Sequence, residues 1–346
     1  MADETNTPFI KKLRSRPSVT NPFAILFERI CRVTPVRGVP KELEETALPN
    51  VRIALVSMPS KRKAEMELVP FSSVNEDSEP PPLDRDACKR TLVKFDKSFA
   101  DKMLESFSEA LHAALVDNHA NIVCFNELGF PSLDMKPMTE AVQLAHKMSK
   151  EHNALIIAGS AHDARTLYNT AFLFHPGSDE HGHVFHKSIS AISVEEFVSV
   201  PPERRVPLIN IFGLRIASMI CIDVADYASI ASVVRCADHI SVLLVPCYTP
   251  RFEDMARIAK VTSEAMPGLV ALVNARLPDA PAGLHQIWRI GEKEEWAPAK
   301  LPSGGYVTYV DVDTNKLNED RVKWQTSDDN DTSWLFGQRY KPVIYT

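Results

Sequence analysis

No stretch of the 346-residue chain approaches the roughly 20 consecutive apolar residues that a bilayer-spanning helix needs. The opening residues, Met1-Ala2-Asp3-Glu4-Thr5, lack the apolar core of a secretory leader. No two cysteines stand at CxxC spacing. Cys31, Cys88, Cys124, Cys221, Cys236 and Cys247 are scattered, which fits reduced thiols better than a zinc site or a disulfide framework. A basic excess is missing too: the formal charge is −6, so a nucleic-acid partner is not expected. Internal repeats are not visible. These absences point to a cytoplasmic protein with no membrane partner.

What is present is a globular composition, 45% hydrophobic and 24% charged, on a chain long enough for one large domain or two ordinary ones. A sizeable core is therefore expected. Residues 1–49 carry Pro8, Pro17, Pro22, Pro35 and Pro40 and a basic cluster, Lys11, Lys12, Arg14 and Arg16. They read as an N-terminal extension, with one short helix over Phe23–Phe27 behind Asn21. Val51–Met58 reads as the first strand. Residues 61–87 are polar and contain Pro80-Pro81-Pro82, as a long surface loop would. From Lys94 to Asp117 apolar residues recur at spacings of three and four, the face of an amphipathic helix.

Apolar runs at 121–126, 154–160, 168–174, 214–220, 240–246 and 269–274 suit buried strands, and 184–187 a shorter one. Helices are expected over 138–152, 228–236 and 252–266. Tyr306–Asp313 alternates like a half-exposed strand, and residues 314–346 read as a polar tail. Alternating strands and helices indicate an α/β architecture.

Three residues share one context. Glu127, Lys187 and Cys221 each stand at or just past the end of an apolar run, and in open α/β sheets ligands gather beyond the carboxyl ends of strands. Their chemistry is complementary: a thiol needs a base, a carboxylate can supply one, and an ammonium stabilises both a thiolate and an oxyanion. Each also has an ordinary reading. Cys221 could be a small buried hydrophobe, Glu127 a surface carboxylate and Lys187 a solvated cation.

Together with their surroundings they resemble the nitrilase, or carbon–nitrogen hydrolase, superfamily. The matching pieces are Val123-Cys124-Phe125-Asn126-Glu127-Leu128-Gly129, His186-Lys187 and Met219-Ile220-Cys221-Ile222-Asp223. Gly159-Ser160, Tyr168-Asn169-Thr170, Val245-Pro246 and Ala271-Leu272-Val273-Asn274 follow in the family's order, and the resemblance spans about residues 50–313. It implies a four-layer αββα sandwich, with Glu127 as general base, Cys221 as nucleophile, and Lys187 with the Ile222 backbone N–H as oxyanion hole. Glu195 or Glu196 would orient the substrate amine or the attacking water, Glu196 being preferred. Tyr248 is a pocket-lining candidate.

The implied reaction is hydrolysis of a small amide or nitrile through a thioester, with no metal or organic cofactor, in a homodimer or larger homo-oligomer. Departures from the family pattern are Asn126 where proline is usual, Ile222 where an aromatic is common, Ala225 where arginine is frequent, and no clear Gly-x-Ser turn over 275–296. They keep open an alternative: a nitrilase-fold assembly module that binds a partner and no longer catalyses. His181, His183 and His186 near Lys187 read as a solvated turn.

Overall fold

The computed structural model describes residues 31–60, 67–70, 91–94, 96–130, 135–162, 168–188, 204–225, 240–276 and 284–326. In chain order the first elements are β1 (Cys31–Pro35), α1 (Lys41–Glu45), β2 (Asn50–Ser57), β3 (Glu67–Pro70), β4 (Thr91–Lys94), α2 (Lys97–His112), β5 (Ile122–Phe125), α3 (Met135–His152) and β6 (Leu155–His162). There follow β7 (Asn169–Phe174), β8 (His183–His186), β9 (Arg204–Ile211), β10 (Leu214–Ser218), β11 (Val242–Cys247), α4 (Phe252–Ala265) and β12 (Leu269–Asn274). The last are β13 (His285–Arg289), β14 (Glu292–Glu294), β15 (Ala299–Lys300), β16 (Tyr306–Asp313) and α5 (Thr314–Thr326).

Two seven-stranded sheets form the centre. One has the order β1-β9-β10-β11-β12-β13-β14 and the other β15-β16-β2-β5-β6-β7-β8. The two-residue period of a strand explains how they stack. In the second sheet Ile53, Leu55, Ile122, Cys124, Leu155 and Ile157 face the first sheet and join Ile209, Ile216, Leu243, Val245 and Leu272 in one core. Their sequence neighbours Ala54, Val56, Val123, Phe125, Ile156 and Ala158 face the other way, onto Phe107, Ala110, Leu111, Ala141 and Ala145 of α2 and α3. On the far side Phe252, Met255, Ala256 and Ala259 of α4 cover the first sheet. Because both faces of each central strand are covered, the strands read as continuous apolar runs. The result is the expected αββα sandwich.

α2 shows why its sequence is a helix. Its buried Ala100, Met103, Phe107, Ala110 and Leu111 share one face, and the Asp96 carboxylate caps it by accepting the Phe99 N–H at 2.9 Å. Such a cap contributes about 1 kcal/mol. That cap corrects the expected start at Lys94, which lies instead in β4; the last expected turn, Ala113–Asp117, is a π-helical turn. Part of the expected 61–87 loop is also strand, since β3 pairs antiparallel with β4.

β9 was not foreseen, because Pro207 interrupts its run; it lies between the edge strand β1, to which it pairs parallel, and β10, to which it pairs antiparallel over residues 208–211, with Pro207 just beyond that pairing. Residues 31–49 thus lie against the sandwich. α5 docks the start of the expected tail through buried Leu317 and through Arg321, whose Nε donates to Pro267 O at 2.9 Å. The expected elements at 23–27 and 228–236 lie outside the described residues. Among the described residues no helix is long and apolar enough to cross a membrane.

Candidate active site

β5 ends at Phe125, and the next three residues turn sharply. Asn126 is buried and stitches the turn: its Oδ1 accepts the Met58 N–H at 2.7 Å, and its Nδ2 donates to Glu127 O at 2.6 Å. Ser160 of β6 supports the turn from below, its Oγ accepting the Leu128 N–H at 3.1 Å. That approach depends on Gly159, with φ +82°, where a Cβ would stand 2.6 Å from Asn126 O. Leu128 itself has φ 54°, left-handed backbone that a branched side chain rarely adopts. The turn aims Glu127 inward, 1% exposed.

Lys187 follows β8 directly and is also 1% exposed. Its ammonium donates to Glu127 Oε1 at 2.5 Å, and the Asn169 Nδ2 donates to the same oxygen at 2.9 Å. Asn169 also accepts the Lys187 backbone N–H at 2.8 Å through its carbonyl. Taking a carboxylate and an ammonium out of water costs several kcal/mol each, so both persist here only as a paired, hydrogen-bonded unit.

Cys221 follows β10, at the head of a 3₁₀ turn over Cys221–Ala225, and has φ 47°. Backbone held in that region costs on the order of 1–3 kcal/mol and recurs at functional sites. Asp223 in the same turn is buried, and its two carboxylate oxygens accept the Ser188 N–H at 3.0 and 2.9 Å. The turn that carries the thiol is thereby clasped to the loop that carries Lys187.

The Cys221 thiol is drawn below its ordinary value, to about 6. The largest cause is a hydrogen bond with the Cys247 thiol; burial opposes it, and the Lys187 charge, a Tyr248 backbone hydrogen bond and a Glu127 side-chain hydrogen bond add to the lowering. Cys247, at the end of β11, moves the other way, well above its ordinary value, first through burial and then through Cys221. Tyr248 packs with Phe99, Met103 and Leu128 at the rim, and its phenol is pushed up to about 12, chiefly by burial.

Glu127, Lys187 and Cys221 therefore meet at one buried place, with Tyr248 beside them. Ile222 is half-buried, the residue after the thiol in the turn. Glu195 and Glu196 lie outside the described residues. Among the described residues no group of three or more His, Cys, Asp or Glu side chains is arranged to hold a metal ion.

Three participants escaped the sequence reading: Asn169, Asp223 and Cys247. Asn169 and Asp223 sat inside matched segments, and their signal was a polar residue next to an apolar run. Cys247 carried no signal beyond its place after Val245-Pro246.

Residues 96–227, which contain Glu127, Lys187 and Cys221, match the model of the family described as carbon-nitrogen hydrolase. No curated protein matches the chain in sequence. Among solved structures, a mutant of the amidase from Nesterenkonia sp. AN1 in complex with butyramide is similar, with 15% identity, a TM-score of 0.51, and coverage of 82% of this chain and 97% of that one. A CN-hydrolase superfamily protein from Xanthomonas campestris aligns with 13% identity and a TM-score of 0.53, over 86% of this chain and 100% of that one. Nit3 of Saccharomyces cerevisiae, a nitrilase-superfamily member, aligns with 12% identity and a TM-score of 0.52, over 82% and 97%. At such identities these are likenesses of fold. Residues 96–227 thus resemble the carbon-nitrogen hydrolase family in sequence, and the fold resembles that of solved nitrilase-superfamily structures.

Proposed function

We propose that the protein hydrolyses the carbon–nitrogen bond of a small amide through a thioester on Cys221. The observation that carries this reading is a buried Lys187–Glu127 ion pair against a thiol whose ionisation is favoured despite its burial. Glu127 takes the thiol proton as the sulfur attacks the carbonyl carbon. Lys187 and the Ile222 backbone N–H stabilise the oxyanion that develops. When the tetrahedral species collapses, the C–N bond breaks and the proton passes from Glu127 to the departing ammonia or amine. Water then attacks the thioester with Glu127 again as base, releasing the carboxylic acid and restoring the thiol. Glu196, or its neighbour Glu195, orients the amine and the water.

An amide is preferred over a nitrile because the similar amidase from Nesterenkonia sp. AN1 binds butyramide, and a mutant of it carries the acetamide moiety of fluoroacetamide on its active site cysteine. A cytoplasmic homo-oligomer belongs to the same proposal. The test is ammonia release from a panel of short aliphatic amides and nitriles, with and without hydroxylamine. Wild type should release ammonia from at least one amide and yield the hydroxamate that a thioester gives. Cys221→Ala should lose at least about a thousandfold in kcat. A folded wild type that turns over nothing, or a Cys221→Ala variant as active as wild type, would overturn the reading and return the chain to the assembly-module alternative.

A further inference from the structure

Cys247 takes no part in the hydrolysis proposed above, yet it is a fully buried thiol beside the reactive one. The sheet explains the proximity. β10 and β11 run parallel with Ser218 opposite Leu244, and the Met219 N–H continues the ladder to Leu244 O at 3.2 Å. β10 ends at Ser218 and Cys221 opens the 3₁₀ turn just beyond it, while β11 runs on to end at Cys247. The turn that begins at Cys221 packs against β11, and both cysteines lie in the same buried core. The Cys247 thiol is the group that draws the Cys221 thiol down most, and its sulfur lies 3.4 Å from Val245 O. Cys124, another buried thiol, sits within β5 of the other sheet, its sulfur 3.8 Å from Phe125 O. It is not in this pair.

We infer that Cys221 and Cys247 form a redox dithiol, in which a peroxide oxidises Cys221 and Cys247 resolves it as an intramolecular disulfide. In the first step the Cys221 thiolate attacks one peroxide oxygen. The S–O bond forms, the O–O bond breaks, and the second oxygen leaves as hydroxide and becomes water on taking a proton. In the next step the Cys247 sulfur attacks the sulfenic sulfur. The S–S bond forms, the S–O bond breaks, and the departing hydroxide takes the Cys247 proton as water. Two thiols have together lost two electrons and the peroxide has gained them. An external dithiol reverses the change. While it is closed, the sulfur has no lone thiolate to offer a substrate, and it is protected from irreversible oxidation to sulfinate.

This inference rests on the reading of Cys221 as a nucleophilic thiolate, but its primary readout is mass and not turnover. The full-length protein is treated with hydrogen peroxide, its remaining thiols are blocked, and it is digested without reductant. Wild type should yield one cross-linked pair of peptides, containing positions 221 and 247 and about 2 Da lighter than their sum. In Cys247→Ala that pair disappears and sulfinate accumulates at Cys221, at least about tenfold faster than in wild type. Cys247→Ser, which keeps the size of the side chain, should behave as Cys247→Ala does. Dithiothreitol should restore ammonia release to peroxide-treated wild type.

Sulfinate forming at Cys221 at equal rates with and without Cys247, and no cross-linked pair, would overturn the inference. A cross-linked pair in a protein that hydrolyses no amide would leave the dithiol standing and remove the hydrolase.

Discussion

Among the described residues, two buried polar centres answer burial in opposite ways. In one, His285 of β13 bridges to the other sheet: its Nε2 lies 2.8 Å from the Ser57 hydroxyl and its Nδ1 2.7 Å from that of Thr308. Burial pushes the ring down to about 3, so it stays neutral, and each nitrogen faces a hydroxyl. In the other, Glu127 and Lys187 are charged partners, and a thiol beside them is lowered despite burial. Among the described residues, the three buried cysteines repeat the contrast. Burial raises Cys124, and burial with the neighbouring sulfur raises Cys247, while Cys221 alone of the three goes down. Depth does not set ionisation here; the partners do. The backbone differs as well, since His285 lies in an ordinary strand while Leu128 and Cys221 hold left-handed φ values of 54° and 47°.

The comparison breaks most visibly at the ion pair. Glu127→Gln leaves the Lys187 ammonium buried without its counter-charge and should cost about 3–5 kcal/mol in a urea titration. Glu127→Gln with Lys187→Met should recover most of that stability while remaining inactive. Equal stability of Glu127→Gln and wild type would mean that the pair is not held as a buried charge.

The thiol contrast should appear next, as chemistry. At neutral pH iodoacetamide should alkylate Cys221 at least about a hundredfold faster than Cys124 or Cys247, because only a thiolate reacts. Peptide mass mapping reads the order, and Glu127→Gln or Lys187→Ala should flatten it. Equal rates in wild type would erase the distinction.

The smallest effect belongs to the neutral bridge. Protonating His285 is disfavoured in the fold, so below its ordinary value near 6.5 the unfolded chain binds the extra proton and the native one does not. Its contribution to stability is therefore whole above pH 6.5 and is lost progressively as pH falls toward 3. His175 is lowered to about 4, by burial first and then by His183, and adds in the same direction. His285→Gln should reduce the acid-side slope and cost about 1–3 kcal/mol at pH 7 through the hydroxyls it leaves unsatisfied. It should leave the alkylation rate of Cys221 unaltered. Melts across pH 4–8 measure the slope, and an unchanged slope would place the acid sensitivity elsewhere.

Much of the fold was legible in one dimension because its central strands are covered on both faces. Ile122–Phe125, Val242–Cys247 and Leu269–Asn274 are fully buried and announce themselves as apolar runs. The elements that went unseen lack such coverage or carry a breaker. β9 contains Pro207, and β13 and β14 are half-exposed and polar. β3 lies in a segment rich in polar residues, where only pairing with β4 makes it a strand. The site divided in the same way. Glu127, Lys187 and Cys221 were each visible as a polar residue ending an apolar run. Asn169, Asp223 and Cys247 were not, because their importance comes from what they touch.

The amino-acid order alone thus settled the α/β class, the sandwich through its resemblance, and the three residues worth watching. Periodicity and the polarity of strand ends are properties of neighbours along the chain. Folding alone could decide that Glu127 and Lys187, 60 residues apart, lie 2.5 Å apart, and that the Asp223 carboxylate takes the Ser188 N–H. The lowering of one buried thiol among the three described is likewise a sum over charges and hydrogen bonds brought in from distant segments, which strand register and turn geometry set in space.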